Sequence, residues 1–145
     1  VMRAILTVAA LALAAPATAQ SSATSLFDSM RSTPLTAGGW TYRSTPTGSE
    51  ARFANVFTIR CDRATRNVTL QRTDPLTALS GPMTVATDTA TRSLPSTTTS
   101  LTPRDSLLDA IAYSRGRFVV AGGGGAALLI PAWPEAARSI EDCRN

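Results

Sequence analysis

Two cysteines, Cys61 and Cys143, constrain this chain more than any other feature. Each lies in an amphipathic stretch. Around the first, Phe53, Asn55, Phe57, Ile59 and Cys61 share one parity of an alternating run over Arg52–Arg60, so that run predicts a strand with Cys61 on its core face. Around the second, Trp133, Ala136 or Ala137, Ile140 and Cys143 recur at helical spacing behind Pro134, so this sulfur also faces inward. A disulfide between Cys61 and Cys143 is the expectation, with two separate buried thiols as the alternative. Closing a loop of about 80 residues contributes at most about 4.5 kcal/mol in the chain-entropy picture.

A bridge needs an oxidising compartment, and the start of the chain reads as a route to one. Met2-Arg3 is basic, Ala4 to Ala15 is continuously apolar, and Pro16-Ala17-Thr18-Ala19 supplies small residues at a cleavage position. Residues 1–19 therefore read as a secretory signal peptide, leaving 20–145 as a single periplasmic or secreted domain. The apolar run falls short of the ~20 residues a membrane-spanning helix needs, and no later stretch is long enough. The mature chain would hold thirteen arginines against ten carboxylates, a formal +3 with no lysine. That charge is spread along the chain, so a nucleic-acid partner is not expected.

The last third is the most legible. Thr102-Pro103-Arg104-Asp105 predicts a helix start capped by Thr102, with Leu107, Leu108, Ile111 and Ala112 as its apolar stripe and Ser114-Arg115-Gly116 as its end. Arg117–Ala121 and Ala126–Ile130 read as a hairpin turning through Gly122–Gly125. Trp133-Pro134-Glu135 opens a final helix that lacks a capping side chain, so packing of Trp133 is expected to fix it. Earlier, Leu26, Phe27 and Met30 suggest a short helix, Trp40–Arg43 a strand, Ser44–Ser49 a turn, and Val68–Leu70 a strand partnering the Cys61 run. The Thr/Ser-rich segment 83–101 reads either as a linker or, preferably, as a solvent-facing hairpin turning near Asp88-Thr89.

Candidate chemistry is sparse. The chain has no histidine, so a Ser–His–Asp or Cys–His pair cannot be assembled. Asp105 and Asp109 stand four apart, but capping and solvation account for them. Gly122–Gly125 lacks the Lys-Ser/Thr that completes a phosphate loop. Two cysteines without histidine do not make a zinc site. No catalytic residue, metal or cofactor is expected. Trp40 and Tyr42, on one strand face, and Trp133 are candidates for a binding surface, with core packing the competing account. Arg115 and Arg117, flanking Gly116, are candidates for holding an anion, with solvated side-chain ends the preferred account.

The tail from Gly116-Arg117-Phe118-Val119-Val120 through Leu129-Ile130-Pro131 to Ile140-Glu141-Asp142-Cys143, with Cys61-Asp62-Arg63 before it, resembles small exported bacterial proteins of the invasion-associated locus B and type VI secretion-associated accessory kinds. The resemblance implies a β-rich periplasmic fold and an accessory role, and it supplies no catalytic residue. Members often carry a tryptophan after the last cysteine, where this chain has Arg144-Asn145.

The expected fold is α+β and mostly β: an antiparallel sheet or small sandwich with two C-terminal amphipathic helices and one disulfide. The expected function is that of a non-enzymatic exported accessory or binding protein, meeting an envelope protein or small ligand. The alternative is a structural envelope component with no small-molecule site.

Overall fold

The computed structural model describes residues 24–145. The signal-peptide reading of residues 1–19 falls outside them. The chain opens with α1 (Leu26–Ser29), followed by β1 (Trp40–Thr45), β2 (Gly48–Phe53), β3 (Phe57–Asp62) and β4 (Asn67–Arg72). Then come β5 (Met83–Ala86), β6 (Thr91–Leu94), β7 (Thr98–Leu101) and α2 (Ser106–Ala112). The hairpin β8 (Arg117–Gly122) and β9 (Gly125–Pro131) leads to α3 (Pro134–Asp142). All strand pairs are antiparallel, in two sheets of order β1-β2-β3-β4-β7 and β6-β5-β8-β9. The expected class, mostly β with two C-terminal helices and one disulfide, is the one observed.

The local departures have physical reasons. The run Arg52–Arg60 is two strands, because Ala54-Asn55-Val56 makes a tight turn with Ala54 at φ 46°. Phe53 and Phe57 then face each other in register. The expected Ser44–Ser49 turn shrinks to two residues, since Thr45 already pairs with Gly48. The second helix starts three residues late: Asp105, not Thr102, is the cap, and its side chain accepts the Leu107 N–H at 2.8 Å. The 83–101 hairpin exists as β5 and β6, turning through Thr87–Ala90. It is not solvent-facing, because β5 lies between β6 and β8 with Met83, Val85 and Ala86 buried.

The sheets face each other across one main core. Phe118 of β8 meets Phe57 of β3 edge-on at 5.7 Å and lies 6.5 Å from Trp40 of β1. The Trp40 indole N–H donates to Pro131 O at 2.8 Å, which satisfies its one polar atom inside the core. The other half of the same face of β1–β3 is covered by α3. There Ser139 lies 3.2 Å from Ser49 and donates to Ile59 O at 3.1 Å, and Ile140 is fully buried. Cys143 joins Cys61 directly below. Arg144 continues the attachment, donating to Pro103 O at 2.7 Å and pairing with Asp109 and Glu141, each at 2.9 Å. The outer face of the four-stranded sheet, at Val119 and Leu129, is covered by Phe27 of α1.

Arg72 is the buried cation of the structure. It reaches from β4 across to the second sheet, donating to Val120 O at 3.1 Å and to Ala126 O. Those carbonyls flank the register irregularity between β8 and β9. Burial pushes the guanidinium below its usual value, and the charge of Asp74 restores part of the loss. Gly125 leaves room for it, because a Cβ there would lie 2.7 Å from Arg72 Nη2.

Two outcomes follow. Cys143→Ser is expected to lower stability by about 2–5 kcal/mol, seen as a depressed thermal midpoint, while the oxidised wild type titrates no free thiol. Arg72→Lys, which keeps the charge but cannot span both carbonyls, should cost about 1–3 kcal/mol by denaturant titration. An unchanged midpoint would show that the inter-sheet clamp is dispensable.

Candidate functional site

The inner face of the five-stranded sheet is consumed by the core, so the question is what its outer face presents. Strand alternation puts Arg43, Glu50, Arg52, Thr58, Arg60, Thr69 and Gln71 there, opposite Tyr42, Ala51, Phe53, Ile59 and Leu70. The register aligns them in two rows across all five strands. One row runs Arg43, Glu50, Arg60, Thr69, Ser100, and the other Thr41, Arg52, Thr58, Gln71, Thr98.

Glu50 is the centre of this face. Its side chain is only 4% exposed, and three guanidiniums converge on it. Arg60 binds Oε2 through Nη2 at 2.9 Å and Nε at 3.2 Å. Arg43 and Arg52 reach Oε1 through Nη2 at 3.1 and 3.2 Å. Burial alone would raise the Glu50 pKa, but the Arg60 hydrogen bonds, the Arg52 charge and the Arg43 contact outweigh it and hold the carboxyl below its ordinary value. Glu50 therefore stays ionised at neutral pH, and the cluster keeps a surplus of two positive charges. Its arginines are 67%, 43% and 44% exposed, so they retain outward donors. Arg52 Nε is buried without a partner. It borders a cleft of about 260 Å³ lined by Arg52, Asn55, Thr58, Gln71 and Thr73.

The aromatic residues singled out from sequence do not form this surface. Trp40 is in the core. Tyr42 is half-buried on the inner side, its hydroxyl donating to Asp142 at 2.5 Å and its ring lying 4.0 Å below the Arg138 guanidinium. Trp133 is 48% exposed; as the extended N-cap of α3 it leaves the helical stripe and does not anchor the helix by burial. Asp105 and Asp109 bind different arginines, Arg92 at 2.7 Å and Arg144 at 2.9 Å, so they form no carboxylate pair. Arg115 and Arg117 border a larger cavity of about 620 Å³ together with Asp28, Arg31 and Asp88. Arg117 donates to Thr33 O at 2.6 Å and Arg115 lies 3.6 Å from Asp88, so acids and bases there largely answer one another. The Gly122–Gly125 amides are partly spent inside the fold, with Gly123 N–H donating to Pro82 O at 2.9 Å.

Among the described residues, no group of three or more His, Cys, Asp or Glu converges as a metal shell would, and no helix is long and apolar enough to cross a membrane. No protein-family model, curated protein or solved structure matches the chain.

The arginine cluster was missed from sequence. Its signal was there: Arg43, Glu50, Arg52 and Arg60 all take the parity opposite to the apolar positions of their strands. Recognising the cluster required the register that sets three strands side by side. Removing Glu50 tests the geometry. Glu50→Ala should cost about 1–3 kcal/mol at pH 7, because three guanidiniums lose their shared acceptor while keeping partial hydration. The Glu50 pKa is depressed in the folded state, so its contribution is present above the ordinary value of 4.5 and is lost as pH falls through the lower folded value. Glu50→Gln is therefore expected to show a shallower loss of stability in that acid window than the wild type. Parallel acid limbs would show that the carboxylate is not held as described.

Proposed function

We propose that the protein is an exported, non-enzymatic binding protein of the cell envelope that works through the outer face of β1–β4 and β7. The observation that carries this reading is the surplus of guanidinium donors around Glu50, exposed on a sheet face of hydroxyl and amide groups, where the one other carboxylate, Asp62, is taken up by the Ala64 and Thr65 N–H groups. Guanidiniums orient and hold planar anions, but they neither take nor give a proton near neutral pH, which suits binding rather than turnover. Export is supported by the leader-like residues 1–19 and by the Cys61–Cys143 bridge, since such bridges persist mainly in oxidising compartments. An accessory role is also what the resemblance of the tail implies.

A purely structural envelope component has no use for unspent donors, and this separates the two readings. The purified domain, residues 20–145, should sediment with cell envelopes of the organism that makes it. The double substitution Arg43→Gln/Arg60→Gln should reduce that retention about tenfold, a loss of about 1.4 kcal/mol, with an unchanged circular-dichroism spectrum. Equal retention of the folded variant would remove the face from consideration. Deleting residues 2–19 should leave the protein in the cytoplasm with both thiols free.

A further inference from the structure

Resting on that reading of the sheet face, we infer that its ligand is a carboxylated polysaccharide, a uronate-bearing glycan lying across the strands. Three observations lead there. The first is the carboxylate already present. Glu50 shows that a planar carboxylate is bound there, by two N–H groups of Arg60 and one Nη2 each of Arg43 and Arg52, and the same guanidiniums keep donors on their outer edges. A second carboxylate above the first offsets one of the two positive charges that the glutamate leaves unbalanced.

The second is the chemistry of the rows. Beyond the arginines lie Thr69, Ser100, Thr41, Thr58, Gln71 and Thr98, uncharged groups that donate and accept hydrogen bonds as sugar hydroxyls do. Strands about 4.8 Å apart set a row of five residues over about 19 Å, and each step is close to the advance of one pyranose ring along an extended glycan. Thr58 and Gln71 line the cleft beside Arg52, whose buried Nε has no partner of its own. A ring carboxylate over Arg43 and Arg60, with neighbouring hydroxyls over Thr58 and Gln71, uses these groups together.

The third is what the face omits. It presents no aromatic or large aliphatic side chain, whereas protein interfaces are anchored by buried aromatic and arginine residues in apolar surroundings. It gathers a surplus of only two charges, each worth about 1 kcal/mol at an anionic lipid surface, which is too little to hold a membrane. One charged cluster among many neutral groups matches a polymer whose rings each carry a single carboxylate among hydroxyls better than a densely sulfated one.

The probe is polygalacturonate, titrated calorimetrically into the oxidised domain at low salt, with neutral dextran, dextran sulfate and phosphatidylglycerol vesicles alongside. Binding of polygalacturonate in preference to all three is expected. Arg43→Gln/Arg60→Gln should weaken it about tenfold, and Gln71→Ala, which removes an amide with no hydrogen bond among the described residues, should weaken it several-fold. Tighter binding of dextran sulfate, capture by vesicles without polygalacturonate, or an unaltered affinity of Gln71→Ala would each overturn the inference. If polygalacturonate does not bind but envelope retention still depends on Arg43 and Arg60, only the glycan assignment fails. If retention is independent of those arginines, the face reading fails with it.

Discussion

The structure depends on how α3 is held against the inner face of β1–β3. The four-stranded sheet reaches the end of that face where Trp40, stacked edge-on with Phe53, and Phe57 meet Phe118. The other end, at Ser49, Ile59 and Cys61, is closed by Ser139, Ile140 and Cys143 of a helix with only nine residues and no side-chain cap. A helix of that length is marginal alone, so its order comes from what it touches. The disulfide fixes its last turn to the central strand, while Arg144 fixes the residue beyond it to α2. Where the core is thin at its end, the covalent link does the work that further apolar area would do in a larger domain.

That arrangement releases the outer face from any folding duty. With apolar residues of β1–β4 all turned inward, the alternate positions can be Thr, Gln and Arg without loss of core. Threonine still favours the extended backbone there. The exception is Glu50, which the three arginines enclose. An enclosed carboxylate is tolerated only because its oxygens are occupied by charged donors, and its low pKa expresses that occupancy. The cluster is thus a structural solution on its inner side and a source of free donors on its outer side.

The sequence made the core legible and the surface illegible, and the difference is one of range. Inward parity at Ile59 and Cys61, and helical spacing of Ile140 and Cys143, are local patterns, and they placed both sulfurs correctly. The turn at Ala54–Val56 escaped because a three-residue loop preserves parity: Phe53 and Phe57 both point inward, so the alternation runs through the reversal unbroken. Trp133 was misplaced for the opposite reason, since its spacing is helical but its backbone is the extended cap before the helix begins. Asp105 and Thr102 are both acceptable caps; Asp105 takes the role, and Arg92 from β6 binds the same carboxylate. The Glu50 cluster needs residues from three strands, and no window of sequence contains that pairing.

Whole-chain charge is a poor guide to such a face. A formal +4 spread over 145 residues predicts no particular partner. What matters is that Arg43, Arg52 and Arg60 lie within contact of one carboxylate, well inside the ~8 Å over which physiological salt screens exposed charge. Arg115, Arg117 and Arg31 are as basic by composition, but Asp28 and Asp88 stand among them. The two sites differ in the number of carboxylates among their arginines, one against two. Arginine rather than lysine matters here for the same reason: a planar fork can hold Glu50 with one edge and present the other, which a single ammonium at the end of a flexible stem cannot do.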